Sequence, residues 1–351
     1  MMTDGSHGRK ASILLIYTGG TIGMKEDPVL QALIPFDFSQ ILDEVPELAK
    51  FAYRIDSYTF DPLIDSSDVE PSLWVSLVRL LENRYDDYDG FVILHGTDTM
   101  AYSASTLSFM LEGLTKPVIF TGSQLPIGIP RTDGKENLIS AVEIAAAKDE
   151  SGHALVPEVC ICFDNVLIRG NRSRKFNSDN FRAFRSEDYP PLAEAGISIR
   201  YNTPLIRKPS SWEEKPIFHT GLDTRVSILK IHPGITPSVV RDILLGKETR
   251  AVILETYGAG NAPSKDWFLS IVREAADSGK IILNVTQCVA GCVNMDLYAT
   301  GKSLKSAGVV NGYDSTTESA LGKLFYLLGT FDSNDKVKEC LEMDLRGEIS
   351  K

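Results

Sequence analysis

Cysteine and histidine are scarce, with five of each in 351 residues. An odd cysteine count in a chain this long is not a disulfide framework, and it points to free thiols in a reducing compartment. Cys160 and Cys162 stand two apart in an apolar stretch, on one face of an expected strand. Too few further ligand residues lie nearby for a metal site, so buried thiols are expected. No run approaches the roughly 20 apolar residues of a membrane span. The opening MMTDGSHGRK lacks the apolar core of a secretory signal. Basic residues are also in deficit, with 36 Lys and Arg against 47 Asp and Glu and a net charge of −11. That balance argues against nucleic acid and membrane surfaces as partners. A cytoplasmic protein is expected.

What is present is ordinary in bulk and specific in arrangement. Hydrophobic residues make up 43% and charged residues 24%, values of a globular chain. The length exceeds one comfortable core, so two domains are expected. Ser12 to Tyr17, Phe91 to Leu94 and Pro117 to Phe120 are short, wholly apolar runs, the mark of strands buried on both faces of a parallel sheet. Each stops abruptly, at Thr18-Gly19-Gly20-Thr21, at His95-Gly96-Thr97-Asp98 and at Thr121-Gly122-Ser123. In open α/β sheets ligands sit outside the carboxyl ends of the strands, so a hydroxyl cluster on Gly hinges belongs there.

Helices are expected after Pro71, over about Ala101 to Leu111 and over Lys135 to Lys148, alternating with strands near Tyr53 to Phe60 and Glu158 to Phe163. Proline recurs between Tyr189 and Pro216, which reads as a linker. Strands then resume at Val226 to Ile231, Ala251 to Thr256 and Ile281 to Val285, with helices from Pro237, Asp266, Thr317 and Asp335. The expected architecture is two α/β domains. A larger N-terminal parallel-type sheet carrying helices on both faces spans 1–192, a linker spans 193–218, and a smaller C-terminal α/β domain spans 219–351.

Taken singly, the candidate residues have plain readings. Thr18 to Gly23 follows a strand and is Gly-rich, but it lacks the order of a dinucleotide loop and the Lys-Ser/Thr ending of a P-loop. Its glycines can present a hydroxyl on a sharp turn, or merely close one. Asp98 is placed to cap the helix beginning near Ala101. Lys175 ends a turn crowded with Arg169, Arg172 and Arg174, and basic turns are usually solvated. The argument lies in their conjunction at adjacent strand ends.

TGGTIG, DSSD, HGTDTM, TGSQLP, RGNRSRK and YGAGNAP together resemble the L-asparaginases, and among them the cytoplasmic bacterial type I branch, from about Ser12 to Glu348. The resemblance implies hydrolysis of L-asparagine to L-aspartate and ammonia without a cofactor. It implies Thr21 as a nucleophile that forms a β-aspartyl ester. Thr97 becomes a second threonine coupled to Lys175 and Asp98, and Asp98 also a partner for the substrate ammonium. Asp65, Ser66 and Ser67 become the holder of the substrate carboxylate, with Ser123 as an auxiliary. It implies a homotetramer built as a dimer of dimers. Two departures stand out. The family's tyrosine in the loop after the nucleophile is replaced by Leu33, which leaves Tyr298, supplied by a neighbouring copy, as a candidate. At the family's asparagine effector site, Arg174 and Glu255 replace a threonine and an arginine, while Thr286 and Cys288 fit the remaining wall. A vestigial effector site is expected, closed by an ion pair between Arg174 and Glu255. Two other readings stay open: an ammonia-generating subunit of a tRNA-dependent amidotransferase, and an amino-acid sensor without turnover.

Overall fold

The apolar runs do form strands, and their period decides where the helices go. The computed structural model describes residues 10–27, 32–35 and 41–351, without the side chains of 25–27, 32–35, 42 and 43. β1 (Ser12–Tyr17) leads through a single 3-10 turn, Thr21–Gly23, into a hairpin of β2 (Met24–Asp27) and β3 (Ala32–Pro35). α1 (Ile41–Glu44) and β4 (Arg54–Thr59) follow, then α2 (Pro71–Arg84), β5 (Gly90–Leu94), α3 (Met100–Met110), β6 (Leu111–Glu112) and β7 (Val118–Thr121). Next come α4 (Gly134–Ala146), β8 (Val159–Phe163) and β9 (Val166–Arg169). β10 (Arg174–Lys175) pairs with β11 (Phe184–Arg185), and β12 (Ala193–Ala195) and β13 (Ile199–Tyr201) return to the main sheet. That sheet has eight strands in the order β13-β12-β9-β8-β7-β5-β1-β4. It is parallel from β4 to β8 and antiparallel beyond, because Asp164 and Asn165, at φ 47 and 63, turn the chain back on itself.

Alternation along the strands splits the core in two. Leu14, Ile16, Phe91, Ile93, Val118 and Phe120 face α2 and α3, while Ile13, Leu15, Val92, Leu94 and Ile119 face α4. α3 is almost wholly buried and rich in Ala and Ser, the composition of a helix squeezed between layers.

The second sheet is smaller and wholly parallel. After β14 (Ile217–Phe218) it contains β15 (Val226–Lys230), β16 (Ala251–Thr256), β17 (Ile281–Thr286) and β18 (Val310–Asn311), side by side in that order. α5 (Pro237–Leu244), α6 (Asp266–Asp277) and α7 (Ala299–Ser306) cover one face, and α8 (Thr317–Thr330) and α9 (Asn334–Leu341) the other. α8 also lies on α3 of the first unit, so closely that a Cβ on Gly322 would stand 2.9 Å from the Thr106 Cα. This contact ties the helix that leaves the central strand to the second core.

The stretch expected to be a linker, 193–218, is more structured than that. β12 and β13 extend the first sheet, and β14 pairs with β6. Strands of two and three residues are too short to show a period, which hid them among the prolines. The stretch from Thr18 to Pro35, for which the sequence shows no period, likewise contains the β2–β3 hairpin.

Candidate active site

Register brings the strand ends level. Tyr17 of β1 stands opposite Leu94 of β5, and Leu94 opposite Thr121 of β7. The Thr18 amide and hydroxyl both donate to the Leu94 carbonyl, at 3.0 and 2.9 Å, and the His95 amide donates to the Thr121 carbonyl. The turns that follow therefore open side by side. They touch through backbone: Gly20 holds φ 91, and a Cβ there would lie 2.6 Å from both Cα and N of Gly96. A Cβ on Gly96 would in turn reach 2.5 Å from the Ser66 Oγ. Glycine at both places lets the Thr21 turn, the Thr97–Asp98 turn and the Asp65–Asp68 turn share one floor.

On that floor Lys175 is the junction. Its Nζ donates to the Thr97 Oγ1 at 2.9 Å and lies 2.5 Å from Asp98 Oδ1. The Thr97 hydroxyl donates in turn to Gln124 Oε1, at 3.4 Å. Ser66, buried, donates to Asp98 Oδ2 at 3.4 Å, and the Thr99 hydroxyl donates to the Ser66 carbonyl at 2.6 Å. Asp98 thus does not cap α3. Thr99 occupies that position without a side-chain capping bond, and the carboxylate turns to Lys175 with 60% of its side chain still exposed. A carboxylate with free lone pairs at the mouth of a pocket can accept a second cation.

Asp65 works behind this layer. Its Oδ1 accepts from the Ser67 amide at 2.9 Å and the Ser67 hydroxyl at 2.8 Å, and these bonds hold its carboxyl below the usual carboxylate range. Asp133 fixes the neighbouring loop by accepting from the Gln124 amide at 3.0 Å. Ser123 is buried and donates to the Leu125 carbonyl of its own loop at 2.6 Å. Sequence reasoning quoted Gln124 within a motif but gave it no part, and it missed Asp133. The signal of Gln124 is its position just beyond β7, whereas Asp133 stands at the start of α4 and carries none.

His95 locks the turn from below. A carbonyl only accepts, so Nδ1 carries the proton donated to the Gly96 carbonyl at 2.7 Å, and Nε2 accepts from the Ser103 hydroxyl at 2.9 Å. Ser103 accepts in turn from Trp74 Nε1 at 2.8 Å. Burial pushes the imidazole down to about 4, which keeps this chain neutral. Tyr17, fully buried beneath the Thr21 turn, donates to the Gly20 carbonyl at 3.3 Å, and burial raises its phenol to about 12.

Other expected residues lie elsewhere. Tyr298 caps α7 in the second unit and is 52% exposed. Leu33 sits on β3, opposite Glu26, and its side chain is outside the described residues. Among the described residues no ion pair joins Arg174 to Glu255, which corrects the expected closure of the effector position. Arg174 lies 3.7 Å from Glu318, while Glu255 accepts from the Thr317 hydroxyl at 2.6 Å and lies 3.6 Å from Lys230. The partners come from α8 and β15, distant in sequence. Thr286 donates to the Gly258 carbonyl at 2.7 Å, and Cys288 is exposed.

A lysine wired to a threonine and an aspartate at the carboxyl ends of a parallel sheet, beside a second threonine on a Gly hinge, defines a two-domain α/β amidohydrolase. The comparisons give the family. The family model described as Asparaginase, N-terminal, matches residues 12–207, and that of the Glutaminase/Asparaginase C-terminal domain matches 225–341. The chain is 44% identical over 348 residues to L-asparaginase 1 of Escherichia coli K12, covering 97% of this chain and 99% of that one. It is 40% identical to a 60 kDa lysophospholipase of Mus musculus, covering 98% of this chain and 63% of that protein. The crystal structure of L-asparaginase I from Vibrio cholerae superposes with a TM-score of 0.88 at 41% identity, over 98% of this chain and all of the other. The chain belongs to the asparaginase family.

Proposed function

We propose that this enzyme hydrolyses the side-chain amide of L-asparagine to L-aspartate and ammonia in two displacements at Thr21. The Lys175–Thr97–Asp98 constellation, set against the Gly20–Thr21 hinge, carries the proposal. The Thr21 Oγ attacks the amide carbon, its proton passes to the leaving nitrogen, and ammonia departs from the tetrahedral intermediate. The resulting β-aspartyl ester is opened by a water oriented on Thr97, whose hydroxyl accepts from Lys175. The cation lowers the cost of negative charge on a neighbouring oxygen in both steps. Asp98 pairs with the substrate ammonium through the oxygens it still exposes, and the Ser66 and Ser67 hydroxyls, oriented by the Asp65 turn, hold the substrate carboxylate.

Two finer readings follow from the same observations. The Thr21 turn has no phenol from its own loop, and Tyr298 lies exposed on the second domain. A neighbouring copy therefore supplies it, in a homotetramer of two close dimers. All five cysteines are free thiols, which supports a reducing compartment, the cytoplasm.

The test is ammonia release from free asparagine by the purified chain, with Thr21→Ala as the control. Turnover without a partner protein or tRNA is the expected result. A folded Thr21→Ala variant with near-normal turnover would sink the nucleophile assignment. Sedimentation of a fully active monomer at assay concentration would remove both the tetramer and the role of Tyr298.

A further inference from the structure

The basic turn before Lys175 is not solvated. Arg169 and Arg172 are both buried, and their guanidinium groups converge on one backbone carbonyl, that of Gly347, at 3.3 and 2.6 Å. Between them the Asn171 side-chain amide donates to the Arg346 carbonyl at 3.0 Å. Gly347 lies in the left-handed region at φ 82, and a Cβ on it would stand 2.5 Å from Arg169 Nη1. Glycine is therefore required on two counts, conformation and space. The segment is pinned at its other end too. Glu348, fully buried, accepts from the Leu345 and Arg346 amides and pairs with the buried Lys323 of α8 at 2.5 Å. Both arginines keep acidic partners, Arg169 with Glu158 at 2.6 Å and Arg172 with Asp314 at 2.8 Å. Buried charges are costly unless paired and hydrogen-bonded, and both guanidinium groups are.

Three residues after Arg172 stands Lys175. On its far side the support is slight, since β10 and β11 are two residues long. On its near side the turn Gly170–Arg172 is closed by the Ser173 hydroxyl, which donates to the Gly170 carbonyl at 2.6 Å, and it rests on α3 through Ser105 at 3.2 Å. The position of the ammonium is thus fixed from upstream, by α3 on one side and by Asp344–Ser350 on the other.

We propose that the segment around Gly347 is a strap through which the second domain sets the Lys175 ammonium against Thr97, with Arg172 and Gly347 as positioning residues for the reaction. The inference rests on the reading of Lys175 given above. A strap that merely glued the domains would change stability and leave the kinetic constants alone.

Steady-state kinetics of Gly347→Ala and Arg172→Gln in the full chain, with circular dichroism and thermal melting, separate these cases. Gly347→Ala keeps every charge while its methyl presses on the Arg169 guanidinium and strains the φ 82 backbone, and Arg172→Lys, which keeps both the charge and the glycine, covers the case in which either of the others does not fold. In folded Gly347→Ala, kcat is expected to fall about 10- to 100-fold, the cost of shifting a reacting group by about an ångström. KM should stay within about twofold, because the substrate clamps are untouched. Unchanged kcat, or kcat and KM altered together, would overturn the strap. Lys175→Met run in parallel isolates the underlying reading. If that variant turns over normally, the role of Lys175 is wrong, whereas an impaired Lys175→Met beside a normal Gly347→Ala rejects the strap alone.

Discussion

The parallel strands of both sheets in this chain end in polar residues, and they end differently. At the end of the second sheet, Thr256 donates to the Asn284 side chain at 2.6 Å, Thr286 donates to the Gly258 carbonyl, and the Gln287 side-chain amide donates to the Ile231 and Glu255 carbonyls. Each of these groups spends its hydrogen bonds on the protein, and Thr256 and Asn284 are fully buried. Beyond the first sheet, Asp98 keeps most of its surface in solvent while it grips Lys175, and Thr21 stands half-buried on its hinge. The same topology makes scaffold in one place and chemistry in the other. The difference is unspent bonding capacity, not residue type.

Substitutions should separate the two edges sharply. At the first, Thr21→Ala and Thr97→Ala are expected to fold normally and lose about 10⁴-fold or more in turnover, the scale seen when a nucleophilic unit is broken. Ammonia release paired with thermal melting checks this, and intact turnover in either variant breaks the contrast. Within the same edge, Lys175→Met should lower kcat about 10²- to 10⁴-fold at little cost in KM, as for a lost proton-transfer or electrostatic group. Asp98→Asn should lower turnover and, unlike Lys175→Met, also raise KM about tenfold or more through the lost charge-assisted bond. Equal KM in the two variants would show that they do not divide the work in this way.

Beneath the first edge, His95 should make stability depend on pH. Its folded pKa of about 4 lies below the ordinary 6.5, so the unfolded chain takes up the proton first. The full contribution is present above pH 6.5 and is lost as pH falls toward 4, by roughly 3 kcal/mol. Urea unfolding of the wild type and of His95→Gln at pH 7 and pH 5 tests it, and an equal acid loss in both would rule it out. At the second edge, Thr256→Val should cost about 1–3 kcal/mol by orphaning a buried amide oxygen, with turnover unchanged. A kinetic effect there would mean that the second edge is not merely scaffold.

The smallest effect expected is an absence of cooperativity. Glu255 and Arg174 are each engaged by internal partners, Thr317 and Lys230 for the first and Glu318 for the second. An asparagine effector then has nothing to grip differently in two states, so it can shift neither. Initial rates against asparagine concentration should be hyperbolic, and a clearly sigmoidal curve would restore a working effector site.

Much of the first edge was legible because it is local. An apolar run that stops at glycine marks a strand end, and three such stops predicted the convergence that the Tyr17, Leu94 and Thr121 register produces. What stayed hidden is set by distance or brevity. The partners of Arg174 and Glu255 come from elements far along the chain, and the Arg172–Gly347 bond spans 175 positions. The turn around Arg169 and Arg172 looked solvated because charge in sequence says nothing about what folds over it. Asp98 looked like a helix cap because Lys175, 77 residues away, is invisible from its neighbourhood.

The floor shared by Gly20 and Gly96 bears on how such an enzyme can be re-engineered. It is one backbone thick, with no side chain between the turns that meet there. A directed search for altered amide selectivity gains nothing from mutating it, since even a methyl would part the turns and move Thr21 and Thr97 at once. Latitude lies at the rim beyond that floor, and libraries placed there can change what enters while the Gly20–Gly96 contact still holds Thr21 and Thr97 in place.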